Sequence, residues 1–221
     1  GGSLRGFWRL FVTQFQGAFS DNAFKWIVIF MVLSKATADE WAPVVGAVFA
    51  LPFIIFSIFA GQLADRYSKR FVTIGTKVAE VGIMILATVG LTFNIPGLLV
   101  VVVFLLATQS AFFGPSKYGL LPELLPEKRL SWGNGIFQFG TTAAVITGTV
   151  IAGKLYELFE GQQQWSGVTL LGLSFVGLIF ASRITRVPAA NPDRRFRVNP
   201  FPDLSKSFAR IRGERSLFLA V

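Results

Sequence analysis

Ten polar-leaning residues, Gly61-Gln62-Leu63-Ala64-Asp65-Arg66-Tyr67-Ser68-Lys69-Arg70, stand between two long apolar runs. The run before them, 43–60, carries no charge, and the run after them, 71–93, carries only Lys77 and Glu80. As helices, both runs are long enough to cross a hydrocarbon core of about 30 Å. Such a pattern cannot wrap around one water-soluble core. It reads as a membrane hairpin whose tight loop ends in a basic cluster, and that cluster belongs on the cytoplasmic side.

Composition agrees. Hydrophobic residues make up 52% of the chain and charged residues 15%, against about 25% charged in an ordinary soluble domain. The apolar residues come in blocks, which places the chain among integral membrane proteins. It has no cysteine and no histidine. That excludes disulfides, thiol chemistry, histidine metal sites and a Ser-His-Asp triad. Glycine-rich phosphate loops, paired glycosidase-like carboxylates and zinc spacings are absent too, so neither an enzyme nor a cofactor is expected. The net charge of +9 would suggest nucleic acid in a soluble protein. Here the basic residues gather at span ends, so anchoring explains them and no nucleic-acid partner is expected. The first apolar block is too long for a signal-peptide core, and no small-residue cleavage site follows it.

Six spans are expected, at 7–33, 43–60, 71–92, 98–113, from about 132, and 168–182. In span 1, Gln14, Gly17, Asp21 and Lys25 recur every three or four residues and share a helical face, with Asn22 beside them. Charge is costly in lipid, so this face turns inward, as an Asp21–Lys25 ion pair, a ligand site or both. A polar turn at 35–40 leads to span 2, where Pro52 is expected to bend the helix. In span 3, Thr73, Lys77 and Glu80 form the polar face, and Lys77 and Glu80 can pair as an intramembrane polar pair. Gln109 lies deep in span 4. Gly114-Pro115 is expected to break or kink that helix, leaving 120–129 as an intracellular segment of short helical character. In span 5, Asn134, Gln138, Thr141, Val145 and Thr149 share one face, while Ala144, Gly148 and Ala152 form a small-residue packing stripe. A polar outer loop at 157–164 precedes span 6.

The stretch 183–215 holds nine basic residues and four prolines and reads as a cytoplasmic linker. Leu204, Phe208 and Ile211 share a face there, which suits either a short surface helix or a disordered basic tether. The segment 216–221 starts another apolar run, and Gly1-Gly2-Ser3 reads as a trimmed start, so the chain is expected to be part of a longer protein. The expected organisation is a six-span bundle at 1–183, a linker at 184–215 and the start of a seventh span at 216–221. Seventeen basic residues fall on the side of the N-terminus, the 61–70 loop and the linker, against Lys35 and Lys154 opposite. The positive-inside rule makes the crowded side cytoplasmic.

The decapeptide resembles the helix 2–helix 3 signature of the major facilitator superfamily of transporters: glycine, any residue, leucine, alanine, aspartate, arginine, two variable residues, then two basic ones. Gly61, Leu63, Ala64, Asp65, Arg66, Lys69 and Arg70 match, and Ser68 stands where glycine is usual. The resemblance implies an all-α membrane fold, here the N-terminal six-helix half of a six-plus-six transporter built of two inverted three-helix units. It also implies gating roles for Gly61, Asp65, Arg66 and Arg70, which would latch onto a C-terminal six-helix half.

Two further stretches, Gln16-Gly17-Ala18-Phe19-Ser20-Asp21-Asn22-Ala23 and Gly114-Pro115-Ser116-Lys117-Tyr118-Gly119-Leu120-Leu121-Pro122-Glu123-Leu124, are similar to the bacterial lysophospholipid transporter branch. Asn134-Gly135 and 141–146 follow the same pattern. The branch moves lysophospholipid, chiefly lysophosphatidylethanolamine, from the outer to the inner leaflet of the inner membrane. There an acyltransferase/acyl-ACP synthetase, fused or separate, reacylates it. The resemblance puts Asp21 at the branch's acidic headgroup position and Lys117 at its basic one, a carboxylate for the ammonium and a cation for the phosphate. Lys25, Asn22, Gln109 and Gln138 complete the candidate substrate-binding set. Lys117 also suits a plain anchor that snorkels to lipid phosphates. Two other functions stay open: a proton-coupled drug or metabolite antiporter using Asp21 or Glu80, and a non-transporting platform for fused lipid enzymes.

Overall fold

The computed structural model describes residues 4–33, 38–188 and 191. The trimmed start, Lys35, the linker face of Leu204, Phe208 and Ile211, and the 216–221 run lie outside the described residues.

Among the described residues, six long helices follow in order: α1 (Leu4–Leu33), α2 (Ala38–Arg66), α3 (Lys69–Thr92), α4 (Pro96–Leu124), α5 (Leu130–Leu158) and α6 (Gln164–Ser182). A 3-10 turn, Glu127–Arg129, joins α4 to α5. Five of the six are long and apolar enough to cross a membrane. The exception is α1, whose 30 residues are interrupted midway by glutamines, Asp21, Asn22 and Lys25. It sits at the centre of the bundle, packed on α2, α4, α5 and α6, so its polar middle faces protein.

Small residues set the close approaches. Gly133, Gly140, Ala144, Gly148 and Ala152 are all buried on α5, which packs along α1. At Gly148 a Cβ would come within 2.7 Å of the Phe19 carbonyl oxygen, so this contact is backbone against backbone. Between α3 and α4, Asn94 takes φ 50°, a left-handed turn that asparagine tolerates. Pro96 then opens α4 where a missing N–H costs nothing.

Three expectations are corrected. The 61–70 stretch is not a ten-residue loop: Gly61 to Arg66 complete α2, Lys69 and Arg70 begin α3, and only Tyr67 and Ser68 lie between. Its Leu-Ala-Asp-Arg core continues the helical ladder, with the Tyr67 N–H donating to Leu63 O at 3.0 Å. The 35–40 turn is shorter than expected, because α2 already starts at Ala38. Gly114-Pro115 does not end α4, which runs on to Leu124 with Pro115 and Pro122 inside it. A proline removes one helical hydrogen bond, and a membrane helix flanked by α2 and α3 tolerates that loss. The 120–129 segment is therefore the last turn of α4 plus the 3-10 turn.

The core has three layers along the bundle. One apolar cluster gathers Phe24, Ile27, Val28, Met84, Leu99, Val102, Leu106 and neighbours. A second, at the end of the α2–α3 turn, gathers Phe7, Leu10, Phe113, Leu120, Leu121, Leu124 and Phe137. Between them lies a buried polar layer: Thr13, Gln14, Gln16, Ser20, Asp21 and Asn22 of α1, Thr73, Thr76, Lys77 and Glu80 of α3, and Gln109 and Ser116 of α4.

Candidate functional site

The polar layer divides into a closed network and an open one. The closed one joins α1 to α3. Lys77 Nζ lies 2.6 Å from Glu80 Oε2 and donates to Gln16 Oε1 at 2.9 Å. Gln16 Nε2 donates to Glu80 Oε1 at 2.8 Å and to Ser20 Oγ at 2.9 Å. Lys77 is 1% exposed and Glu80 0%. Two buried opposite charges hold each other, and an amide satisfies what remains of both, which is the condition under which a buried pair is tolerated. Two glycines make the room. A Cβ at Gly17 would come within 2.7 Å of Lys77 Nζ, and one at Gly177 of α6 would overlap the Gln16 amide.

The open network joins α1 to α4 and α5. Ser110 Oγ donates to Asp21 Oδ2, and Gln109 Nε2 donates to Ser110 Oγ at 2.9 Å. Asp21 Oδ1 and Gln109 Oε1 are buried without any hydrogen-bond partner. Two turns along α4, Lys117 Nζ donates to Gln14 Oε1 at 3.1 Å and stands over the rings of Phe113 and Tyr118 at 5.6 and 5.1 Å. Gln14 Nε2 in turn donates to Thr141 Oγ1 at 3.1 Å. Asp21 and Lys117 thus hang from the same two helices, seven residues apart on α4 as Ser110 and Lys117 and seven apart on α1 as Gln14 and Asp21. That offset is about 10 Å along the axis. Among the described residues neither is in a salt bridge.

Lys25 does not pair with Asp21. It donates to Asn22 Oδ1 at 3.0 Å and lies over the Phe49 ring of α2 at 4.6 Å, while Asn22 donates to the Ala18 carbonyl. Gln138 is exposed on α5, away from the layer's hydrogen bonds. Gln16, Ser20, Ser110 and Gly177 were not singled out from the sequence. The spacing of Thr13, Gln16 and Ser20 is a usable signal for a second polar face on α1; Ser110 and Gly177 carry none.

At the α2–α3 turn, the signature residues hold the chain that leaves α6. Arg70 Nη2 donates to Ser182 O at 2.6 Å, Ser68 Oγ to Val187 O at 2.6 Å, and the Asn191 N–H to Asp65 O at 2.9 Å. Arg9 Nη1 donates to Arg183 O. Arginines against the last carbonyls of a helix also complement its dipole. Lys69 pairs with Glu123 of α4, with its stem against Gly119. Arg66 lies over Tyr67 at 5.6 Å, and at Gly61 a Cβ would meet nothing within 4 Å.

Residues 10–221 match the sequence model of the Major Facilitator Superfamily. The chain belongs to that superfamily. Among proteins similar to this superfamily chain are the lysophospholipid transporters LplT of Cronobacter sakazakii, 32% identical over 211 residues, and of Salmonella typhimurium, 29% identical over 199 residues. These matches cover 94% and 88% of the chain but 50% and 46% of the relatives, so the chain spans about half their length. Two solved structures share the fold at low identity. A mutant peptide transporter POT in complex with alafosfalin has TM-score 0.71 at 16% identity, covering 98% of this chain and 45% of that one. A POT family transporter in complex with 5-aminolevulinic acid has TM-score 0.70 at 20% identity, covering 94% and 45%. The superfamily chain is a multi-pass membrane protein with a transporter fold.

Proposed function

We propose that this chain is the N-terminal half of an alternating-access transporter that moves lysophospholipid, chiefly lysophosphatidylethanolamine, from the outer to the inner leaflet of a bacterial inner membrane. The observation that carries the reading is Asp21: one carboxylate oxygen is held by Ser110 and the other is buried with no partner. An unpaired charge at mid-span is costly, and an ammonium headgroup supplies the missing partner. Lys117 offers a cation without a counter-ion on the same two helices, and its flexible four-carbon stem shortens the distance to Asp21. A headgroup positive at one end and negative at the other fits that pair. Glu80 is a poor carrier for a coupling proton, because Lys77 and Gln16 engage both of its oxygens. The similarity to LplT transporters points the same way.

In this reading the N-terminus, the α2–α3 turn and the linker are cytoplasmic. Gly61, Asp65, Arg66 and Arg70 serve a gate against a C-terminal six-helix half. Lys25, Asn22 and Gln138 border the substrate path, and an acyltransferase/acyl-ACP synthetase, fused or associated, consumes the product. The test is uptake of labelled lysophosphatidylethanolamine by spheroplasts that lack their own carrier and express the complete protein. Uptake dependent on the protein supports the reading. No lysolipid uptake, with a soluble compound moved against its gradient, gives the antiporter instead.

A further inference from the structure

A groove of about 630 Å³ lies between the end of α2, one face of α3 and one face of α4, within the roughly 300–1,000 Å³ of small-molecule sites. It runs from Leu63, Tyr67 and Phe71 beside the α2–α3 turn to Ile83 and Leu105, three turns of α3 further on. Gly75 and Ala79 form its α3 wall, and a Cβ at Gly75 would meet nothing within 4 Å. Phe71 is 67% exposed, and the outer face of α3 continues with exposed Val78, Ile85 and Val89. In a membrane-spanning bundle such a face meets lipid, so the groove opens sideways to the bilayer.

One buried polar side chain breaks the apolar lining without being satisfied. Gln109 is 6% exposed and lines the groove, and its Oε1 has no partner. The polarity of that atom is fixed by the relay behind it. Ser110 gives its hydroxyl proton to Asp21 Oδ2. Ser110 then accepts from Gln109, which must turn its NH2 inward. The carbonyl oxygen is left buried in the groove's wall without a partner, an acceptor that calls for a donor.

We infer that this groove holds the acyl chain of a single-chain phospholipid, and that Gln109 Oε1 accepts a hydrogen bond from the lipid's free glycerol hydroxyl. A diacyl phospholipid has an ester at that carbon and no donor, so it would leave Gln109 unsatisfied in an apolar site. A site built to pair with a hydroxyl rejects the analogue lacking it more strongly than an apolar pocket rejects an extra methylene. The groove would thus distinguish lysolipid from bulk lipid, and the relay ties this recognition to Asp21. The inference rests on the lysolipid reading above and adds where the chain lies and what selects it.

The experiment compares uptake by the complete protein of 1-palmitoyl lysophosphatidylethanolamine and of its 2-deoxy counterpart, in which hydrogen replaces the free hydroxyl. The parent is expected to favour the hydroxyl-bearing lipid by about fivefold to tenfold, the worth of one buried hydrogen bond. In Gln109→Leu that ratio should fall to about one. Gly75→Leu, whose Cβ would meet nothing within 4 Å and whose side chain would occupy groove space, should depress uptake of both lipids several-fold. A ratio near one in the parent, which needs no variant, overturns the hydroxyl contact, as does an unchanged ratio in Gln109→Leu. Unchanged uptake in Gly75→Leu overturns the groove, as expected if a helix of the second half covers it. All of these leave lysolipid transport standing, whereas absence of any lysolipid uptake by the parent removes the transport reading and this inference with it.

Discussion

Gly177 of α6 stands against the Gln16 amide of α1, so close that a Cβ at position 177 would overlap it. Gln16 in turn touches Lys77, Glu80 and Ser20. A residue with no side chain on one helix therefore sets the geometry of a charge pair on another. Gly177→Ala should displace Gln16 and leave buried polar groups unsatisfied, at roughly 1–3 kcal/mol. The midpoint of thermal unfolding in detergent should fall by several degrees. An unchanged midpoint would show that Gln16 can relax freely.

The Lys77–Glu80 pair should behave non-additively. Lys77→Met or Glu80→Met alone strands a buried charge, at about 3–5 kcal/mol. The double variant removes both charges and should recover much of the loss. Thermal unfolding of the three variants completes the cycle. Additive losses would mean the two side chains act independently despite their contact.

Headgroup chemistry separates Asp21 from Lys117. Asp21→Asn should weaken uptake of an ethanolamine-bearing lysolipid more than that of one without a cation. Lys117→Ala should weaken all phosphate-bearing lysolipids alike, and Lys117→Arg should restore them in part, because a planar fork does not replace a point charge. Expression and folding are checked alongside. Equal losses for every substrate together with depleted folded protein would make both residues structural.

If Asp65 serves the proposed gate, Asp65→Asn should shift the balance between the two access states, because the charge-assisted contact it would make there is worth roughly 1.5–3 kcal/mol. Accessibility of introduced cysteines on each side reads that balance, along with the transport rate. No change in either would remove Asp65 from the gate.

The cysteine-free chain also permits a direct topology measurement. Tyr67→Cys, at an exposed position between α2 and α3, should react with an impermeant reagent from the cytoplasmic side only. Reaction from outside would invert the proposed orientation.

The spans were legible because bilayer thickness imposes long apolar runs, and the stripe of Ala144, Gly148 and Ala152 because close helix packing needs small side chains. The α2–α3 motif was legible as a motif but not as a shape, since its polar residues read as loop while its backbone completes two helices. Gly114-Pro115 reads as a break or a kink; the break does not occur, because packing on both flanks of α4 carries the helix through to Leu124. Asp21, Lys77, Glu80 and Lys117 stood out because charge inside an apolar run needs a reason. Lys77 and Glu80 pair as their spacing allows, but the partners of Asp21, Lys25 and Lys117 were not legible in the sequence. Lys25 lies one turn from Asp21 yet turns to Asn22 and Phe49, and Ser110 looks like any small residue until α4 is set against α1.

The central position of α1 has a consequence for how the protein is made. α1 is the first helix of the bundle to leave the ribosome and the least able to stay in lipid alone, since each charge near the centre of an isolated span costs about 2.5–3.5 kcal/mol on insertion. The groups that engage its polar middle, Lys77, Glu80, Ser110, Lys117 and Thr141, are synthesised afterwards, on α3, α4 and α5. Nascent chains cut before residue 130 should therefore release α1 to alkaline extraction far more readily than chains that continue through α6.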